Sequence, residues 1–415
     1  MTSALSKIVS LFMIQAEASV TSTAVTAITN DLGNFEKNSW IFSSYLLTYS
    51  AFPIFLAKIS DIFGRKQVLL CCIVSFIAFS GACGGAQTFL QLIMFRWIKG
   101  LGAGGISAIC IGYGFELRPP SKWPVHSALL MMAASVSMSI SPLIGAAFTQ
   151  VGQWRWCFLM KWRILFSVPI GVTAFVLLFF AMPRKLKLEP AATVAKPGQR
   201  MARMARLDYP GLLMFVGATV FLMTALQQAA QGVSYSSPEV LTLLILTPCF
   251  LACFLLWQWL LSRRSYNLDP ILSWSLLTNR LFISTIANAW LSGMAMTVTV
   301  VQIPQRFVLV HGFSAIRAGV SLLPFAAVMS FTSVVLSVIM TKSKVPALYT
   351  LLFGACIEVA GLAGLSQVST QGGDPRASEY GFQVLAAVGL GIYNVILLLM
   401  TPHVVEKKDL GTHLS

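Results

Sequence analysis

The chain has 415 residues, 56% of them hydrophobic and 10% charged, with a formal charge of +15 and a mean hydropathy of +0.77. Soluble domains carry about 25% charged residues, so this composition excludes a soluble domain and implies a chain immersed in lipid. Apolar stretches of about 20 residues, in place of alternating segments of about 10, exclude an outer-membrane barrel.

Twelve spans are expected, roughly at 8–28, 40–60, 67–86, 90–115, 125–149, 164–182, 209–230, 239–261, 281–304, 318–340, 346–366 and 380–402. With that placement 19 lysines and arginines fall in the loops of one face and 7 in those of the other, while Lys58, Arg96 and Lys99 lie inside spans. The positive-inside rule makes the cation-rich face cytoplasmic, together with both termini. The basic balance therefore reflects topology and excludes a nucleic-acid partner. The lipid bilayer is the partner it implies, with anionic headgroups beside the basic linker.

Taken in chain order, the first span holds Glu17 near its middle. A charge at that depth costs a few kcal/mol on insertion scales, which makes Glu17 a candidate to take up and release a proton. The turn after span two, Leu56 to Lys66, clusters Asp61, Gly64, Arg65 and Lys66 at a membrane face. Arg96 lies about seven residues into span four, roughly 10 Å along the axis, with Lys99 one turn further on the same face. Arginine stays charged and needs an anion or water beside it; Glu17 is the candidate partner, and the two cations incline the cavity towards acidic compounds. In span five Ser137, Ser141 and Gly145 recur every fourth position, a smooth stripe for close helix approach, and Pro142 removes one backbone bond and can bend the helix.

Residues 1–182 thus form an expected six-helix bundle, followed by a basic cytoplasmic linker over 183–206 and two helices within 207–262. A cytoplasmic loop over 263–280, four helices within 281–403 and a cytoplasmic tail over 404–415 complete the chain. The later spans contribute uncharged polar residues, Gln227, Gln228, Asn288 and Asn394, and a second carboxyl, Glu358. These are candidates to line a substrate cavity, although such side chains more often join helices. The eight cysteines lie in or next to spans as small apolar packing residues. No Cys/His spacing suits zinc, no Walker loop is present, and no nucleophile triad stands out. An enzyme is excluded, no metal or cofactor is expected, and a proton gradient is the energy source.

Together these residues resemble the major facilitator superfamily, and more narrowly its fungal 14-spanner drug:proton antiporters. The turn at Ala57 to Lys66 is similar to the loop motif Gly-x-Leu-Ala-Asp-Arg-x-Gly-Arg-Lys at Asp61, Gly64, Arg65 and Lys66, with Ala57 in place of the first Gly. In the family these charges latch neighbouring helices in one access state. Arg96, Gly100, Gly102 and Gly104 resemble the fourth-span proton-coupling motif, with Lys99 where Gln is usual. Span five resembles Gly-x-x-x-Gly-Pro-x-x-Gly-Gly, keeping Pro142 and Gly145 but carrying Ser137, Ser141 and Ala146. Glu17 takes the acidic position of the first-span motif, which continues to Asp31. Trp154-Arg155-Trp156, Asp208-Tyr209-Pro210-Gly211, Ala318-Gly319 with Leu322-Leu323-Pro324, and Thr401 to Leu410 match further signatures in order and spacing.

The resemblance implies an all-α polytopic fold with alternating access between two bundles. It further implies proton-coupled efflux of a small organic compound, such as a drug, toxin or secondary metabolite, by a monomer in a plasma rather than a vacuolar membrane. Two departures stand out. Met160 to Phe166 look inserted before Ser167-Val168-Pro169, and the family's fourteen spans are represented here by twelve, so that the carboxy-terminal bundle is expected to hold four of its six helices. The competing expectation is a non-transporting membrane protein: a defective paralogue, a sensor, or a subunit completed by another chain.

Overall fold

The structure, a computed structural model, describes residues 2–33, 39–116, 123–150, 154–155, 158, 176, 197–263, 268–342, 346–368 and 375–404. Within them the fold is helical throughout. In chain order the helices are α1 (Thr2–Leu32), α2 (Ser39–Ala51), α3 (Pro53–Phe63), α4 (Arg65–Gly84), α5 (Phe89–Glu116), α6 (Trp123–Gln150), α7 (Pro197–Ala205) and α8 (Tyr209–Ala230). They continue as α9 (Pro238–Arg263), α10 (Trp274–Thr278), α11 (Arg280–Leu309), α12 (Ala315–Val320), α13 (Leu323–Lys342), α14 (Ala347–Gln367) and α15 (Ala377–Val404). Eight helical stretches among the described residues are long and apolar enough to cross a bilayer, or nine if α2 and α3 count as one span. In lipid every backbone polar group must be satisfied inside the segment, and helices of this length do so.

Three local features add detail to the expected spans. The second span is bent: α2 and α3 meet at 47° at Phe52, because Pro53 has no N–H to continue the ladder and instead opens a new first turn. The basic linker 183–206 contains α7, which forms where Pro197 starts a run of Gln, Arg, Met and Ala, good helix formers. Span ten starts with the short α12 before α13. The sixth span, the inserted Met160 to Phe166 and the tail beyond Val404 lie outside the described residues, Val176 excepted.

In the first half α5 is central and packs on α4, α2, α3 and α1, while α1 lies along α6. The glycines of α5 allow this. A Cβ on Gly102 would stand 2.9 Å from the Cys72 carbonyl of α4, and one on Gly104 2.9 Å from the Tyr49 carbonyl of α2. In the second half α15 is central, against α14, α13 and α11. The halves meet where α6 packs on α13, α12 and α15. Helices α8 and α9 pair with each other, and α8 lies on α2, so this pair sits on the flank of the first half. The apolar side chains of α9, Leu241, Ile245, Leu251 and Leu256 among them, stay exposed and form a lipid-facing surface.

Two apolar cores lie end to end in the first half. One gathers Met13, Ile14, Tyr45, Ile73, Phe76, Ala103 and Ile106. The other gathers Val20, Ile28, Ile41, Cys83, Leu92 and Phe158. Between the two cores lie Glu17 on α1, Ser80 on α4 and Arg96 and Lys99 on α5.

Candidate functional site

The layer between those cores is ionic. Glu17 is placed by α1, one turn beyond Ile14, and Arg96 and Lys99 by α5, one turn apart. Lys99 Nζ stands 2.7 Å from Glu17 Oε2, and Arg96 Nη1 3.3 Å from Glu17 Oε1. Arg96 and Lys99 have no exposed surface and Glu17 is 2% exposed. Arg96 Nη1 also donates to Thr21 Oγ1 at 3.1 Å, and its Nε donates to the Ile41 carbonyl of α2. Lys99 donates to Ser80 Oγ of α4 at 3.0 Å, and Ser80 donates on to the Phe158 carbonyl at 3.2 Å. The rings of Tyr45 and Phe158 lie 5.4 and 5.8 Å from the guanidinium, and those of Phe76 and Phe158 lie 4.9 and 5.2 Å from Lys99 Nζ. Taking charges out of water costs several kcal/mol per ion. Ion pairing, hydrogen bonds and ring faces offset that cost here.

The three proton-coupling candidates are thus in one place. The sequence alone did not reveal Thr21, Tyr45, Ser80 or Phe158 as their partners. Thr21 carried a weak signal, four residues from Glu17 on the same helix face. The others come from separate segments and carried none.

The charged turn gathers at a helix junction. Arg65 pairs with Asp61 at 2.9 Å, one turn away. Gly64 has φ 100° and caps α3 through its N–H to the Ser60 carbonyl, a left-handed conformation that only glycine adopts readily. Lys66 lies half-buried in the first turn of α4. Lys58, inside α3, reaches across to the second half of the chain, where its Nζ donates to the Pro270 carbonyl and to the Asp269 carbonyl at 3.3 Å. Asp269 N–H donates to the Arg206 carbonyl at 2.7 Å. Beside this seam Asp208 caps α8: its carboxylate accepts from Gly211 N–H at 2.8 Å, Trp257 Nε1 at 2.7 Å and Gln258 Nε2 at 2.6 Å. At the other end of the first half Asp31 pairs with Arg155 at 2.9 Å and accepts from Trp154 Nε1 at 3.0 Å.

Span five's stripe faces α1: the buried Ser137 donates to the Phe12 carbonyl at 2.6 Å, and Ser141 donates back to the Ser137 carbonyl at 2.5 Å. Gly145 is buried on the same helix; the side chain of Pro142 lies outside the described residues. The remaining candidates divide between two regions. Gln227 accepts from Ser43 of α2, which puts it and Gln228 on the flank of the first half. Asn288 of α11 accepts from Tyr393 Oη at 2.6 Å, and Asn394 of α15 accepts from Ser292 Oγ at 3.2 Å, so these two line the α11–α15 seam. Glu358 is 7% exposed on α14, at the point where Gly389 lets α15 approach its backbone.

A second titratable cluster had no signature in the sequence. His311 Nε2 lies 3.2 Å from Glu379 Oε2, Arg306 Nε lies 3.9 Å from the same oxygen, and Arg306 donates to the Val368 carbonyl at 2.9 Å. It joins the ends of α11, α14 and α15. Among the described residues no group of three or more His, Cys, Asp or Glu could hold a metal ion.

The sequence and fold can be set beside known proteins. The chain is 31% identical over 402 residues to the MFS-type transporter FPY5 of Fusarium mangiferae, covering 97% of this chain and 66% of that one. It is 30% identical over 334 residues to multidrug resistance protein 3 of Bacillus subtilis, covering 80% and 60%, and 28% identical over 412 residues to the dehydrocurvularin exporter of Aspergillus terreus, covering 97% and 67%. The chain therefore spans about two thirds of the length of the curated relatives it matches. In fold it is similar to the human organic anion transporter MFSD10, with a TM-score of 0.57 at 13% identity over 96% of this chain and 85% of that one. A double Trp mutant of XylE gives 0.61 at 15% identity over 98% and 83%. Residues 8–415 match the family described as the Major Facilitator Superfamily, and the chain belongs to that family of membrane carriers rather than to an enzyme family.

Proposed function

We propose that the chain is a secondary carrier that exports a small organic compound in exchange for protons. The observation that carries this reading is the ionic layer, the Glu17 carboxylate held by Arg96 and Lys99 in a buried position among helices. Glu17 binds the coupling proton. Protonation discharges the carboxylate that Arg96 and Lys99 share, so the two protonation states stabilise different arrangements of α1 against α5. Rocking of the halves about the α6–α13 contact then alternates access to a cavity between them. The names of the relatives, a multidrug resistance protein and an exporter, support the outward direction. The energy source is the proton gradient, with no cofactor, and the carrier works as a monomer in the plasma membrane with its basic loops and both termini in the cytoplasm. Asp61 and Arg65 hold the charged turn in one access state.

The test is efflux of a fluorescent dye from inverted vesicles under an imposed pH gradient. Wild-type chain is expected to move dye only while the gradient lasts, and Glu17→Gln to stop gradient-driven movement while still reaching the membrane. Undiminished efflux by Glu17→Gln removes Glu17 from the coupling step, and no flux from the wild type removes the carrier reading.

A further inference from the structure

We infer that the ionic layer is also a binding site for a small monovalent inorganic anion, chloride being the abundant one, taken up together with the proton on Glu17. The role in coupling rests on the carrier reading above; the binding does not.

Three observations lead there. The first is charge balance. Among the described residues Glu17 is the one carboxylate paired with Arg96 and Lys99, so the layer holds a net single positive charge while Glu17 is ionised and two when it is protonated. The groups facing Glu17 are Arg96 and Lys99 from α5, Tyr45 from α2, Cys83 and Ser80 from α4, and Thr21 on its own helix. Tyr45, Cys83, Ser80 and Thr21 are ordinarily neutral side chains and supply no second anion. Leaving two cations unpaired in an apolar layer costs several kcal/mol, and ring faces return about 0.5–2 kcal/mol each.

The second observation is an unused donor. Arg96 Nε and Nη1 are occupied, but Nη2 is buried with no hydrogen-bond partner among the described residues. Buried polar groups are ordinarily satisfied, and a guanidinium presents its N–H groups as a rigid fork suited to an anion. Lys99 adds to this, since its Nζ has three donors and two acceptors here, Glu17 and Ser80.

The third is size. Arg96 and Lys99 have no exposed surface, and the rings of Tyr45, Phe76 and Phe158 close over them. Such an enclosure excludes the organic body of a transported compound, so any anion that joins the layer has to be small. A proton on Glu17 and an anion beside Arg96 enter with no net charge between them, so the layer keeps its single positive charge throughout the cycle and the coupling step is electroneutral.

The experiment is thermal unfolding of the purified chain in detergent, titrated with sodium chloride or with sodium gluconate at matched ionic strength. Chloride is expected to raise the melting temperature. Because site-to-site couplings are typically 5–150-fold, its half-effect concentration is expected to be about tenfold lower in Glu17→Gln, whose neutral amide stands in for the protonated carboxyl. Arg96→Gln leaves a balanced Glu17–Lys99 pair and should fold, yet lose the chloride response. An unchanged half-effect concentration in Glu17→Gln overturns the link between the anion and the proton. An equal effect of gluconate, no chloride effect in the wild type, or an unchanged effect in Arg96→Gln overturns the site. Because the readout is stability and not flux, a carrier without a chloride response sinks this inference alone, and a chloride response without dye efflux sinks the carrier reading alone.

Discussion

Gly102 sits on the face of α5 that meets α4, one turn beyond Lys99 and beside Phe76, whose ring covers the Lys99 ammonium. Adding one methyl group there tests whether close helix contact holds the ionic layer together. A Cβ on Gly102 would lie 2.9 Å from the Cys72 carbonyl oxygen and 3.2 Å from the Phe76 nitrogen, both backbone atoms that no rotamer change can move aside. Ordinary contact begins at 3.4 Å, so α4 has to retreat from α5 by about 0.5 Å along a well-packed seam. Overpacking of this kind costs about 1–3 kcal/mol, against a gain of up to about 1 kcal/mol from replacing a helical glycine by alanine. Gly81, in α4, has open space where a methyl group would stand, with no neighbour within 4 Å, and serves as the reference for that gain. Gly102→Ala is therefore expected to be less stable than Gly81→Ala by about 1–3 kcal/mol, read as the midpoint of reversible unfolding in mixed micelles, and to couple protons less tightly as Phe76 shifts off Lys99. Equal midpoints for the two variants would refute the argument that backbone contact across α4 and α5 sets the geometry of the layer.

Two further substitutions probe the ends of the fold. Asp208→Ala removes the acceptor of three donors and the cap of α8; a lost cap is worth about 1 kcal/mol and each stranded buried donor about 1–3 kcal/mol, so a loss of about 3 kcal/mol is expected in thermal scans. Asp208→Asn keeps one acceptor oxygen and should lose less; an Asn variant as damaged as the Ala variant contradicts the assignment. Glu379→Gln weakens the contacts that join the ends of α11 and α15, and amide hydrogen exchange in the first turns of α15 should then quicken by about tenfold, equivalent to about 1.4 kcal/mol. Exchange in the middle of α14 should stay as it was, and a uniform change along both helices argues against a local staple.

Much of this site is legible in the chain because charge is rare within it. Glu17, Arg96 and Lys99 stand out against apolar runs, and the cost of inserting them already implies that they turn inward. Asn288 and Asn394 stand out less, because a neutral amide is tolerated in many packing roles, and only the seam between α11 and α15 gives each a partner. Pro53 is visible in the sequence, yet hydropathy runs smoothly across it, so a 47° break between α2 and α3 is hidden from any reading based on apolar length. Helix α7 was masked in the opposite way, by a basic composition that suggests a loop. His311 and Glu379 lie 68 residues apart with no motif between them, and nothing but their packing makes them a pair.

Membrane immersion follows from the sequence alone, as does the expectation that Glu17, Arg96 and Lys99 turn inward, because transfer into lipid is a property of each segment by itself. The ratio of two cations to one carboxylate inside a single enclosure does not. Coulomb attraction and hydrogen bonding act over a few ångströms, and those ångströms are set by how closely α1, α2, α4 and α5 approach one another. Only the packed bundle decides which groups share a charge and which donor is left over.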